Sequence, residues 1–308
     1  MTSSFVHART FIERHFTLVL LMAFVIGLTA PGLSSIPKYA VPVILASIIL
    51  FSCSKITLQD FKTFRLRDVI GFYLLRFCVL PAILFLISSL ILPGYTYALF
   101  LLALLPCGAT LPALMTIMGG KPALGLSATT LTSALAPLTI PLAFMLVGST
   151  NIEIDILGMF KTLLLMIICP VVIYFSTLRR FSTIANTMRT NASAASCLLI
   201  SGVVALVMSY QQDRFFEDPE LLVISIIIGL CAYFIFYASG WFFSRSHERS
   251  SQISYALMGG NNNIGLGISL AVLYFPPHES LILILWEITW IISMSAFQTF
   301  LKKQAQAL

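Results

Sequence analysis

Charged side chains are scarce in this chain: only 10% of its 308 residues are Asp, Glu, Lys or Arg. A water-soluble domain carries roughly a quarter, so water is excluded as the main solvent. Long polar segments are missing as well, and no linker or low-complexity stretch divides the chain, which makes one domain over residues 1–308 the expectation. The six cysteines (Cys53, Cys78, Cys107, Cys169, Cys197 and Cys231) all fall in or beside apolar runs. They lack the paired spacing of a zinc site or of a secreted disulfide framework. Four histidines lie scattered in loops or at the ends of apolar runs, and no nucleophile–base pair stands out within those runs, so neither a metal cluster nor an enzyme is expected. What the chain has in place of charge is hydrophobicity: 58% of its residues are hydrophobic and its mean hydropathy is +0.97.

A bilayer core of about 30 Å needs roughly 20 apolar residues per helical span. Ten apolar runs separated by short polar loops are read as spans, at about 16–33, 38–54, 69–92, 96–118, 122–148, 156–177, 193–210, 221–243, 252–275 and 280–301. The fold class expected is therefore an all-α polytopic membrane protein with ten transmembrane helices. A net charge of +6 would suggest nucleic acid in a soluble protein, but its placement gives a better account. With the N-terminus inside, the cytoplasmic segments hold Arg9, Arg14, Lys55, Lys62, Arg65, Arg67, Lys121, Arg179, Arg180, Arg189, Arg245, Arg249, Lys302 and Lys303. The external loops hold only Lys38 and Arg214, while Arg76 and Lys161 lie inside spans. This is the asymmetry of the positive-inside rule. It implies an even number of spans, both termini on the cytoplasmic side, and the lipid bilayer, not nucleic acid, as the surrounding partner; the membrane expected is the bacterial cytoplasmic membrane. The first run follows Arg9 and Arg14 as a signal peptide would, but nine more spans follow and no small-residue cleavage site is evident, so it is read as the first transmembrane helix.

The external loop Ser149–Asp155 falls near the midpoint, between spans 5 and 6. Five spans per half is an odd number, so the second half enters from the opposite side of the membrane, which is the arithmetic of an inverted repeat (about 16–148 and 156–301). Two spans are interrupted at comparable places in the halves. Span 4 contains Leu105-Pro106-Cys107-Gly108-Ala109-Thr110-Leu111-Pro112, and span 9 contains Met258-Gly259-Gly260-Asn261-Asn262-Asn263-Ile264-Gly265-Leu266-Gly267. Proline removes a backbone donor and glycine loosens the helix, and three asparagines in hydrocarbon must find partners. A broken helix exposes N–H groups at one new end, suited to anions, and C=O groups at the other, suited to cations. A lone kink serves packing more often than binding; paired breaks, one carrying a polar cluster, point to a binding site where the two helices cross.

At these residues the chain resembles the bile acid:sodium symporter family, within the superfamily that also holds arsenite and auxin carriers. The resemblance runs from about residue 16 to 301 and is strongest between Pro106 and Pro141, through Gly120, Ala123-Leu124, Thr129-Thr130 and Ala136-Pro137. Asn263 followed by Gly265-Leu266, and the segment Thr57-Leu58-Gln59-Asp60-Phe61-Lys62, are similar too. The resemblance implies two inverted five-helix repeats, a panel domain and a core domain, broken helices 4 and 9 crossing at the substrate and sodium sites, and alternating access.

The departures concern sodium. Where the family places a Ser-Asn pair this chain has Leu111-Pro112, and the acidic residue of the span 9 break falls at Met258. Gly125 replaces one hydroxyl, and Arg76 stands at the family's span 3 glutamine. Thr129 and Asn262 are the oxygen ligands left at the sodium positions, so sodium coupling is not carried over. Arg76 supplies a fixed charge that does not titrate. An intramembrane charge is by default a functional hypothesis with a partner to name; the candidate partner is Glu287, at a position the family uses to line its substrate cavity. Lys161, near the end of its span, reads as a snorkelling side chain. Cys107 matches the cysteine of the arsenite branch, whose soft thiolate acts on the metalloid; in this chain it reads as a small packing residue. The expectation is a secondary transporter of a small organic anion, bound at Thr110, Ala113, Thr129, Thr130, Asn261, Asn262 and Asn263. Arg76 either replaces the coupling cation or, with Glu287, contacts the substrate. A non-transporting receptor of the same fold and an arsenite-type efflux carrier using Cys107 are the alternatives.

Overall fold

Backbone polar groups in a lipid core must be satisfied within the protein, which leaves helices or closed barrels. In the computed structural model, which describes residues 9–12, 15–54, 66–147 and 154–306, the chain takes the first course. In order come α1 (Phe16–Thr29), α2 (Ala40–Cys53), α3 (Leu66–Leu74) and α4 (Leu80–Ile91), then α5 (Thr96–Leu104), α6 (Leu111–Met118) and α7 (Pro122–Val147). They are followed by α8 (Ile156–Ser176), α9 (Ser182–Tyr210), the short α10 (Gln212–Glu217), α11 (Pro219–Phe243), α12 (Arg249–Gly260), α13 (Ile264–Tyr274) and α14 (Pro277–Gln306). A π-helical turn, Leu75–Val79, joins α3 to α4.

Among the described residues six helices are long and apolar enough to cross a membrane: the Ile70–Ile91 stretch of α3–α4, α7, α8, α9, α11 and α14. The segments expected as spans 1 and 2 form helices of 14 residues each. Those expected as spans 4 and 9 form pairs of half-helices, α5 with α6 and α12 with α13. Two of the helices run well beyond the expected spans. The helix of span 7 begins at Ser182, not near 193, and α14 runs from Pro277 to Gln306, past the expected 280–301. Hydropathy reads only the part of a helix that lies in hydrocarbon, whereas i→i−4 bonding continues through a polar stretch such as Ser182–Asn191. The Thr57–Lys62 segment, Arg14, Lys55, Arg65 and residues 149–153 of the central loop lie outside the described residues.

The chain divides into two compact units. The first comprises Met1–Thr57, Val147–Glu217 and Ile268–Leu281; the second comprises Leu58–Leu146, Asp218–Gly267 and Ile282–Leu308. In the first, α9 packs on α1 and α2, and α2 on α8. In the second, α11 and α12 make the most extensive contact, and two glycines allow it. A Cβ on Gly240 would collide with the Tyr255 carbonyl, and one on Gly259 with the Phe236 carbonyl. The backbones touch where side chains would hold them apart, the usual device of helix pairs in lipid.

Candidate functional site

Both breaks lie in the second unit, and they pair with each other. Cys107 and Asn262 form an isolated antiparallel bridge. The Gly108 amide donates to the Asn261 carbonyl (2.9 Å), and the Asn263 amide donates to the Pro106 carbonyl (2.8 Å). Each interrupted backbone thus supplies part of what the other lost, so neither peptide group is left bare in the membrane. Gly108 is required by the closeness of this crossing: a Cβ there would collide with Asn261 Oδ1.

The half-helix C-termini, α5 and α12, leave carbonyls open as every helix end does. Arg76 and Asn262 close them. Arg76 sits in the π-helical turn, a device that recurs at functional sites, and its side chain is fully buried. Nη1 donates to the Ala103 carbonyl (2.6 Å), Nε to the Gly259 carbonyl (2.9 Å) and Nη2 to Asn262 Oδ1 (2.9 Å). Asn262 is oriented in turn by its Nδ2 donating to the Leu102 carbonyl (2.9 Å). The guanidinium lies 4.0 Å from the Phe236 ring centroid and 5.1 Å from that of Phe77. Asn262 therefore meets Arg76, and Glu287 is not among the arginine's hydrogen-bond or ion-pair partners. Glu287 lies in the first half of α14, partly exposed, and among the described residues no donor reaches its carboxylate. Among the described residues the buried Tyr233 hydroxyl has no hydrogen-bond partner, and it lies within electrostatic range of both charges.

The half-helix N-termini present the opposite chemistry. Asn263 precedes α13 and accepts from the Leu266 amide through Oδ1 (3.2 Å), an N-cap of the usual kind. Thr110 precedes α6, and its hydroxyl accepts from Asn261 Nδ2 (3.2 Å). Thr110 and Ala113 are exposed, and Asn261 Oδ1 is a buried acceptor with no partner among the described residues. Among the described residues the amides of Ala113 and Gly265 have no main-chain acceptor outside their helices, leaving donors at the positive ends of both dipoles.

Thr129 and Thr132, one turn apart on α7, serve the first break. Thr129 Oγ1 donates to the Gly108 carbonyl (3.3 Å), and Thr132 Oγ1 accepts from the Cys107 amide (3.0 Å). Thr130, partly exposed, is on the same helix. Sequence reasoning missed Thr132, although its spacing of three from Thr129 places both hydroxyls on one helix face. It also missed Phe236, and the carbonyls of Ala103 and Gly259, which carry no side-chain signal. Cys107 is buried, its Sγ donating to the Met258 carbonyl (3.6 Å), and Lys161 is exposed.

Interrupted helices that pair at their breaks, in a chain of several membrane-crossing helices, are a construction also found in secondary transporters. The pattern of the sodium bile acid symporter family matches residues 42–218, and the chain belongs to that family. It is an integral membrane protein of a transporter family. The matched stretch contains Arg76 and the first break and ends before the second. YbaS, an uncharacterized protein of Bacillus subtilis (strain 168), is 27% identical over 188 residues, 58% of this chain and 59% of YbaS. The similarity thus covers about three-fifths of that relative's length.

Proposed function

We propose that this protein is a secondary transporter of a small organic anion, working by alternating access without sodium coupling. The observation that carries the reading is the sorting of charge at the paired breaks. At each of the two C-terminal ends one carbonyl is taken by Arg76, whereas among the described residues the amides of Ala113 and Gly265 at the two N-terminal ends have no main-chain acceptor outside their helices, beside Thr110, Asn261 and Asn263. A carboxylate or similar anion accepts hydrogen bonds from such ends and is favoured by their dipoles. In this reading Thr129 and Thr130 would add hydroxyls to the lining, and Glu287 would border it as the resemblance implies. Arg76 is held by the main chain and Asn262, which favours its role as a fixed cation over direct contact with substrate.

In this reading the two compact units would correspond to the panel and core, and the chain to the ten spans and two inverted repeats, that the resemblance implies, and movement between panel and core would alternate access. Of the sodium positions, Asn262 already gives its oxygen to Arg76, and Thr129 gives its hydrogen to Gly108. Met258 offers a carbonyl but no carboxylate.

Uptake of labelled taurocholate and of short-chain carboxylates into proteoliposomes, with and without a sodium gradient, tests this. The expected result is saturable uptake of at least one anion, equal in sodium and in choline. Uptake that collapses without sodium overturns the sodium-independent reading. Binding without flux supports instead a receptor of the same fold.

A further inference from the structure

Arg76 is a full positive charge deep in a membrane protein, yet among the described residues no carboxylate pairs with it. Its solvation comes from dipoles: the Ala103 carbonyl at the end of α5, the Gly259 carbonyl at the end of α12 and the Asn262 side-chain oxygen. Two aromatic faces cover the guanidinium. Both carbonyls come from helix C-termini, where the summed backbone dipoles are negative and cations are stabilised. A shell of neutral oxygens drawn from main chain and amide is also how proteins replace the hydration of an alkali cation. The seat is held independently of its occupant: the breaks pair through their own backbone bonds, and Asn262 is fixed from its other end by Leu102.

We propose that Arg76 is a tethered cation seated in a carbonyl-lined site for a monovalent alkali ion, and that truncating its side chain turns the seat into a working sodium or potassium site. The wild-type protein then carries its cation permanently, and nothing from solution need bind there for the two helix ends to be neutralised. If the anion-carrier reading above also holds, the anion moves down its own gradient or by exchange with another anion, because the ion step is built in. That consequence rests on the function proposed above; the seat itself does not.

The test uses thermal unfolding of the purified full-length protein, so it needs no knowledge of the cargo. Wild type, Arg76→Ala and Arg76→Gln are melted in choline, sodium and potassium chloride at equal ionic strength, and with low concentrations of guanidinium. Wild type is expected to melt at one temperature in all three salts. The variants are expected to melt lower in choline and to recover in a saturable way with sodium or potassium, which also shows which ion the seat selects. Guanidinium at sub-denaturing concentration is expected to rescue Arg76→Ala by refilling the seat. Variants that melt like wild type in choline overturn the proposal, since the guanidinium then holds nothing. So do variants equally destabilised in every salt, or unable to fold in any of them. A protein that behaves as expected here but moves no anion refutes the transport reading alone.

Discussion

A single arginine shows how strict the accounting is for one residue in a bilayer. Its three hydrogen bonds are fixed in direction by the planar guanidinium, which reaches two helix ends and one amide at once. A lysine would keep the charge as a point on a flexible stem and could not span the same oxygens. Arg76→Lys is therefore expected to lower flux by about tenfold, equivalent to one lost charge-assisted hydrogen bond. Transport rate normalised to the protein inserted in proteoliposomes checks this; an unchanged rate would mean that charge alone matters. The residue was legible as an anomaly, since arginine within a span is rare. Its partners were not, because two of them are carbonyls.

Among elements, the α11–α12 contact decides where the C-terminal carbonyls of α12 lie. Gly259 meets the Phe236 carbonyl directly, and Phe236 is also the ring over the guanidinium. Gly259→Val forces the helices apart and is expected to cost about 3 kcal/mol, read as a lower melting temperature with loss of flux. A weaker tie lies at the start of α12, where the exposed Glu248 carboxylate pairs with Lys121 and the Lys121 amide donates to Ser254 Oγ (2.7 Å). The hydrogen bond from Lys121, with one from Ser250, holds the Glu248 carboxyl below the usual carboxylate range. A carboxyl depressed in the folded state contributes stability above its unfolded pKa and loses it as pH falls through the folded value. The Lys121–Glu248 contribution should therefore vanish in acid, and it should also fade with salt, as exposed pairs do. Comparing Glu248→Gln with wild type across pH measures it: the difference should be small at neutral pH and absent in acid.

For the whole molecule, the proposed orientation rests on the crowding of Lys and Arg between alternate apolar runs of the sequence. With the N-terminus inside, a cysteine at Ser35 should react with a membrane-impermeant maleimide added outside intact cells. A cysteine at Ser246 should react only after the membrane is opened. Both positions are exposed, and the background is best removed by first replacing the exposed Cys78, Cys169 and Cys231. The reverse labelling pattern would invert the topology without touching the helix pairing.

Much of this protein was determined by its sequence alone. Scarcity of charge selects the bilayer as solvent, and the bilayer leaves helix as the way to satisfy the backbone. Pro106, Gly108 and the three asparagines mark where two helices must break, because those residues remove or compete with helical bonds whatever surrounds them. Other features required the fold: that the breaks bond to each other, that Thr132 caps Cys107, and that Arg76 faces Ala103, Gly259 and Asn262 rather than Glu287. The physical reason is that a carbonyl is the same on every residue. Which one becomes a ligand depends on where a helix ends and what packs against that end, and only the tertiary structure brings residue 76 beside residues 103 and 259.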